Sequence, residues 1–357
     1  MILDDLNKIK KLDSGRVADS IKVLADQVRQ VLEDSRLIKI PREYSRINQV
    51  VINGMGGSNI GGGLIKAVFP DQLKTPISIV PGYGVPESVD KNTLFIISSY
   101  SGGTEEPLSV YEKVVKRKAK ILGITAKGGG QLEKLMIKNN IPGYIFDCEF
   151  NPSGQPRLGL GYSIFGLAVM MAKAGLFKIN IKEIEDIIAS LEIWDRELRP
   201  EISAKNNRAK KIAGLLKNKI PIIVGAEFLQ GNLRIFRNQL NETSKNFASY
   251  LTLPDANHYA LEGLAYPKSN KNNLLFLFLN SDFYHIKNQK RLKITKNAVE
   301  KYKIQTVEYK LTGETKFKQA FEMLQIGTWI TFYLAMLNEV DPVKIPYVDW
   351  FKKELKK

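Results

Sequence analysis

The chain has 357 residues, of which 44% are hydrophobic and 25% charged, and its formal net charge is +16. This composition is typical of a globular protein, and the length favours two domains because a single hydrophobic core rarely grows so large. One cysteine, Cys148, excludes an internal disulfide and a multi-cysteine metal site. The excess of lysine raises nucleic acid as a partner, but the lysines are scattered and no aromatic-interleaved or helix-turn-helix pattern accompanies them. We therefore expect no nucleic-acid partner.

Two segments bear on the location of the protein. Residues 1–5 carry early acids and no long apolar core, so they do not resemble a signal peptide. Residues 158–172 are apolar but are interrupted by glycines and fall short of the length of a membrane helix. We expect them to form a buried helix, and we expect a cytoplasmic protein without membrane contact.

Apolar, β-branched runs alternate with helical stretches along both halves of the chain. The expected strands are residues 49–52, 76–80, 93–97 and 120–124, then 220–224, 274–279 and 305–309. This alternation predicts two doubly wound parallel sheets of the α/β class, with ligands at the carboxyl ends of the strands. Residues 179–198 have the spacing of a connecting helix, and 348–357 of a short last helix. We expect domains over residues 1–178 and 179–357.

The first expected strand runs into a glycine-rich turn, NGMGGSNIGGG, at residues 53–63. Such a turn exposes backbone N–H groups at the start of a helix, where anions bind. A dinucleotide fingerprint would need glycine at position 59, where Asn59 stands, and a P-loop would need Gly-Lys-Ser/Thr where Gly62 and Gly63 run into Leu64. The turn therefore predicts a site for an anion other than a dinucleotide or a nucleoside triphosphate.

The third expected strand runs into a second polar turn, SSYSGGTEEP, at residues 98–107. Four hydroxyl side chains surround two glycines, which suits a phosphate monoester held by many hydrogen bonds. The alternative is an ordinary serine-rich helix start in which Thr104 is the N-cap. We favour phosphate because a cap needs only one hydroxyl.

Together with four later motifs, these turns resemble the bifunctional phosphoglucose/phosphomannose isomerase family, which carries a pair of sugar isomerase (SIS) domains. The later motifs are NPSGQPRLGLGYS at 151–163, NQLNETSK at 238–245, PDANHYALEG at 254–263 and DPVKIPYVDWFKKEL at 341–355. The resemblance covers nearly the whole chain. It implies two flavodoxin-like SIS domains followed by a C-terminal helix.

The resemblance also implies roles for individual residues. Arg157 faces the reacting carbon atoms, Glu242 is the base, His258 opens the sugar ring and Lys352 assists it, although Lys353 is adjacent. The residues implied to bind the sugar and its phosphate are Gly56, Gly57, Ser58, Ser99, Ser101 and Thr104.

These roles agree with the chemistry of aldose–ketose interconversion. A carboxylate must move a proton between C1 and C2, a fixed cation must stabilise the enediolate, and a group that titrates near neutrality must open the ring. Each residue also has a structural alternative: His258 as a histidine beside a helix start, Glu242 as a helix-surface acid, Arg157 as a turn residue and Lys352 as one lysine among several.

The resemblance implies an isomerase that interconverts glucose 6-phosphate and fructose 6-phosphate, and also mannose 6-phosphate, without a metal or other cofactor. It further implies a homodimer in which the His258 segment of one subunit completes the site of the other. Two alternatives stay open: an isomerase of another hexose or amino-sugar phosphate, and a non-catalytic sugar-phosphate sensor with the same fold.

Overall fold

A computed structural model describes residues 2–128, 130–355 and 357. It contains two parallel sheets surrounded by helices. The strands are β1 Gln49–Gly54, β2 Ile77–Val80, β3 Thr93–Ser98, β4 Lys120–Ala126, β5 Gly143–Phe146, β6 Ile220–Ala226, β7 Ser249–Leu253, β8 Leu274–Asn280 and β9 Gln305–Lys310. The α-helices are α1 Leu6–Leu12, α2 Val17–Lys22, α3 Leu24–Asp34, α4 Gly57–Val68, α5 Glu105–Ser109, α6 Tyr111–Lys116, α7 Gln131–Lys138, α8 Leu167–Lys173, α9 Ile181–Leu198, α10 Arg208–Leu216, α11 Gln230–Glu242, α12 Asn270–Asn273, α13 Ile286–Lys301, α14 Lys316–Leu337 and α15 Pro346–Glu354.

Both sheets have the same winding. The first has the strand order β2-β1-β3-β4-β5 and the second β7-β6-β8-β9, with every pair parallel. The first order is that of flavodoxin, and the second repeats it without a fifth strand. The predicted fold class, α/β with two doubly wound parallel sheets, is confirmed. In each sheet the strand that comes first in the chain, β1 or β6, is the second in the order, and the connection after it leads to α4 or α11.

Two strands were not expected from the sequence, and each lacks the usual strand pattern for a physical reason. β5 has four residues and begins at Gly143, where an added Cβ would lie 1.9 Å from Gly123 O on β4. The strand therefore needs a glycine, which is a poor strand former. β7 lies at the edge of the second sheet and four of its five residues are half-buried, so it lacks a continuous apolar pattern.

The two halves share one hydrophobic core. α14 lies at its centre: the helix is long and apolar enough to span a membrane, but all of that apolar window is buried inside the protein. α2 and α3, from the first half, pack on α9 and α14. The boundary predicted at 178/179 falls between α8 and α9 and stays a prediction.

The expected helix at 158–172 is buried, but its geometry varies along its length. A 3-10 turn at Pro156–Leu158 is followed by a π-helix at Gly161–Gly166 and then by α8. The connecting helix expected at 179–198 is α9, and the last helix expected at 348–357 is α15, which begins two residues earlier. Every side chain of α15 is exposed.

Candidate functional site

The two polar turns lie side by side at the carboxyl edge of the first sheet. Gly54, at the end of β1, is paired in register with Ser98, at the end of β3. The Ser98 hydroxyl donates to Ser58 O over 2.6 Å, and the Tyr100 N–H donates to Ser58 Oγ over 2.9 Å. These bonds fix one turn against the other, as the expectation of a shared ligand requires.

The first turn presents backbone donors. Gly56 has φ 51° and ψ −122°, a conformation that side chains disfavour, and nothing lies within 4 Å of a Cβ added there. Within the part of the chain that the structure describes, the N–H groups of Gly56 and Gly57 have no hydrogen-bond acceptor. Such donors at the start of α4 suit an anion.

The second turn places hydroxyls beside the first. Ser99 Oγ donates to Thr104 Oγ1 over 3.0 Å, and the Gly103 N–H donates to Ser101 Oγ over 3.4 Å. Thr104 stands at the N-cap position of α5, but its side chain makes no capping hydrogen bond. The alternative explanation, in which Thr104 serves as an ordinary cap, therefore lacks its defining contact.

Arg157 is buried and held from two sides. It lies in the 3-10 turn Pro156–Leu158 with 7% of its surface exposed. Its Nη2 donates to the backbone oxygens of Pro342 and Val343 over 2.8 and 2.7 Å, and its Nε donates to Thr243 Oγ1 over 3.3 Å. Because the backbone acceptors cannot rotate away, the guanidinium keeps one orientation.

Glu242 is the last residue of α11 and faces this guanidinium. Its Oε2 lies 3.9 Å from Arg157 Nη1, and its side chain is 37% exposed. Burial raises the pKa of Glu242 above that of an ordinary glutamate, whereas the charges of Arg157, Lys352 and Lys245 oppose the rise. Burial lowers the pKa of Arg157, which the charge of Glu242 opposes. The pair thus combines a carboxylate shifted towards neutrality with a fixed cation.

The glycine turn reaches the same place. A Cβ added to Gly57 would lie 3.7 Å from Pro156 O and 3.9 Å from Arg157 Cα. The glycine turn, Arg157 and Glu242 are therefore neighbours, and the positive charge of Lys352 lowers the pKa of Glu242.

Among the described residues, no hydrogen bond or ion pair joins the His258 side chain to this cluster. His258 ends the 3-10 turn Asp255–His258 and is exposed, and its side chain makes no hydrogen bond or ion pair with any residue in the described ranges.

Two further side chains at the site are not indicated by the sequence motifs. Lys245 donates from Nζ to the backbone oxygens of Thr243, over 3.2 Å, and Asp341, and burial lowers its pKa to about 8, with Arg157 adding to the effect. Gln27 is fully buried and joins Leu158 O and the Gly161 N–H, over 3.0 and 2.9 Å, on either side of the Arg157 segment. Lys245 closes one of the quoted motifs, but nothing local to Gln27 marks its role.

Known proteins resemble this chain in sequence and in fold. Residues 205–355 match the family model described as bacterial phospho-glucose isomerase C-terminal SIS domain. A bifunctional phosphoglucose/phosphomannose isomerase of Caldicellulosiruptor bescii is 32% identical over 94% of this chain and 98% of its own. One of Aquifex aeolicus is 29% identical over 89% and 93%. A hypothetical protein of Thermus thermophilus shares the fold with a TM-score of 0.76 and 15% identity, over 98% of this chain and 93% of its own.

Two flavodoxin-like sheets with glycine and serine turns beside a guanidinium–carboxylate pair define a protein of the SIS phosphosugar isomerase class. At 32% identity over nearly its whole length, the chain belongs to the bifunctional phosphoglucose/phosphomannose isomerase family. The family, the fold class and the isomerase class predicted from the sequence are confirmed. The roles of individual residues stay predictions.

Proposed function

We propose that this chain interconverts glucose 6-phosphate and fructose 6-phosphate through a cis-enediol intermediate and also accepts mannose 6-phosphate. The observation that carries the proposal is the 3.9 Å contact between Arg157 and Glu242 beside the glycine turn. The family membership supports the substrate class. Cytoplasmic location and a role in glycolysis or gluconeogenesis belong to the same proposal.

Substrate binding begins at the two turns. The backbone donors of Gly56 and Gly57 and the hydroxyls of Ser99, Ser101 and Thr104 bind the 6-phosphate, and Ser58 orders the turn between them. The phosphate then fixes the position of the sugar, and contacts with Arg157 and Glu242 align C1 and C2.

Proton transfer follows at Glu242. The carboxylate removes the proton from one carbon and returns it to the next, and its raised pKa improves proton exchange near neutral pH. Negative charge develops on the enediolate oxygens, where the buried Arg157 stabilises it without prior reorientation because its other donors are already bound to Pro342 O and Val343 O.

Ring opening is assigned to His258 with Lys352, and His258 comes from a second subunit. This proposal rests on exposure: α15 presents Tyr347, Trp350 and Phe351 with 85%, 60% and 55% of their surfaces exposed. Tyr259, beside His258, is 60% exposed. Exposed aromatic side chains next to an unpartnered functional residue suit an interface between two copies of the chain.

A coupled assay tests the reaction. The EDTA-treated protein is given fructose 6-phosphate, and glucose 6-phosphate and mannose 6-phosphate are followed separately. Glu242→Gln is expected to lower kcat at least about 10³-fold while substrate binding persists, because the proton acceptor is lost and the shape is kept. Glu112→Gln, at an exposed position on α6, is the matched control and keeps full activity. Binding without turnover in the wild type would instead indicate a sensor or a different hexose phosphate as substrate.

Mixed dimers test the shared site. Glu242→Gln and His258→Ala are each inactive alone, but subunit exchange between them creates dimers with one intact site. About a quarter of wild-type activity is expected after exchange, because half of the dimers are mixed and one of their two sites is complete. No recovery in verified mixed dimers would show that His258 acts within its own subunit.

A further inference from the structure

A cavity of about 570 Å³ lies between α4, α11 and β7 and is not used by the proposed reaction. We call it the α4–α11 pocket and define it by Lys66, Gln230, Arg234, Tyr250, Thr252 and Lys316. Its volume lies within the range of small-molecule sites. It touches the helix that follows the first strand in each half of the chain, so a ligand there contacts both halves.

The pocket is separate from the Arg157–Glu242 site. α11 begins at Gln230, which lines the pocket, and ends at Glu242. At 1.5 Å per residue these two ends are about 18 Å apart. Likewise Lys66 lies more than two turns beyond Gly57 on α4. The helices approach closely between the two sites, since a Cβ on Gly231 would lie 2.5 Å from Leu64 Cα.

The polar lining of the pocket has few partners within the protein. Arg234, Tyr250 and Thr252 are half-buried, yet their side chains form no hydrogen bond or ion pair with other residues of the described ranges. The Tyr250 ring has Arg237 over one face at 5.3 Å from its centroid. The guanidinium of Arg234 and the hydroxyls of Tyr250 and Thr252 therefore lack hydrogen-bond partners that a ligand can supply.

The charge of the pocket favours an anion. Three cations, Lys66, Arg234 and Lys316, line it. Lys66 Nζ donates to Ile77 O over 3.0 Å, whereas Lys316 Nζ lies 3.6 Å from the exposed carboxylate of Asp71, which also lines the pocket. Glu227 also lines the pocket with its negative charge, and its Oε1 accepts from the His285 N–H over 2.8 Å and from a second donor on α13 over 2.7 Å. With three cations against two carboxylates, the lining carries an excess of positive charge.

The remaining wall is apolar and is formed by Ala67, Pro70, Ile79 and Phe228. A ligand that fits both parts carries an anionic head and an organic body. The planar fork of an arginine matches phosphate oxygens in pairs, and the hydroxyls of Tyr250 and Thr252 add single hydrogen bonds. We propose that the α4–α11 pocket is a second ligand site of this protein, which binds an organic phosphate through Arg234, Lys316 and the two hydroxyls.

Binding of three probes to the full chain tests the proposal: inorganic phosphate, ribose 5-phosphate and AMP, each followed by calorimetry. We expect saturable binding of at least one organic probe, which Arg234→Gln weakens at least tenfold and Lys316→Gln weakens less. Arg196→Gln, at an exposed arginine of α9, is the matched control and leaves binding unchanged. A comparison of the affinities for ribose 5-phosphate and AMP shows whether the sugar phosphate suffices for binding or the base contributes to it.

Thr104→Val distinguishes the two sites, because it alters the proposed substrate turn and not the pocket. Retained probe binding in Thr104→Val with loss in Arg234→Gln supports the proposal. Loss in Thr104→Val with retention in Arg234→Gln places the probes in the substrate turns and overturns it, as does an absence of saturable binding up to about 10 mM. Equal thermal midpoints for the variants verify folding. The readout is binding alone, so failure here leaves the isomerase proposal untouched.

Discussion

The first strand of each sheet continues into a helix, yet the two connections differ in chemistry. After β1, the turn at Gly56 leaves backbone N–H groups open to a ligand. After β6, two polar groups are bonded within the protein: the Ala226 N–H donates to Tyr284 Oη over 3.1 Å, and the Glu227 carboxylate accepts from the His285 N–H. Glu227 itself has φ 48° without being glycine.

In the proposed reaction, the repeated unit is divided between binding and catalysis. The first unit uses the start of its helix, where unpaired N–H groups and the positive end of the helix dipole favour an anion. The second uses the end of its helix, where Glu242 lies at the negative end of the dipole, which favours the protonated carboxyl. Both ends meet at Arg157, since α4 reaches it through Gly57 and α11 through Glu242.

Among these substitutions, Gly56→Ala is expected to have the largest effect, because it alters the turn after β1. An L residue at φ 51°, ψ −122° is strained by about 1–3 kcal/mol, so the turn is expected to move and its donors to lose their alignment. We expect KM for fructose 6-phosphate to rise at least about tenfold, by steady-state assay. Gly84→Ala is the control, because Gly84 has no positive φ and no atom within 4 Å of an added Cβ. Equal KM values in the two variants would show that the turn does not bind phosphate.

Tyr284→Phe tests the connection after β6. The phenol accepts from the Ala226 N–H and donates to Leu279 O over 3.2 Å, and the residue is 3% exposed. Its loss leaves a buried N–H unpaired, so the free energy of unfolding is expected to fall by about 1–3 kcal/mol, measured by urea denaturation. kcat and KM are expected to stay unchanged, since this connection is structural. A large rise in KM without a loss of stability would contradict that view.

Lys245→Met has the smallest expected effect and reports on the charge around Glu242. The positive charge of Lys245 lowers the pKa of Glu242, so its removal raises that pKa and moves the acid limb of kcat/KM to higher pH, by less than about one unit. The pKa of Lys245 itself is about 8, so the two profiles should converge above that pH, where the wild-type lysine has lost its proton.

The exposed Lys211→Met serves as the control for this pH profile. A shift of the acid limb to lower pH in Lys245→Met, or an equal shift in Lys211→Met, would show that Glu242 does not set the limb.

Several features were accessible from the sequence because their causes are local. The expected runs at 49–52 and 93–97 lie within β1 and β3, and both turns follow them at the carboxyl edge. β5 and β7 were missed because one begins at a glycine and the other is a half-buried edge. Glu242 was expected between two strands, and it lies there. Its position as the last residue of α11 was not indicated by the polar motif alone.

Local sequence features indicated the alternating units, the two polar turns and the family, since glycine spacing, β-branched runs and ordered motifs depend on neighbouring residues. The arrangement of side chains at the candidate site, by contrast, follows from the tertiary fold. Arg157 and Glu242 are 85 positions apart in the chain and 3.9 Å apart in space, and the pKa shifts of Glu242 and Lys245 arise from burial. Burial and charge proximity depend on how α4 and α11 pack, which no local pattern specifies.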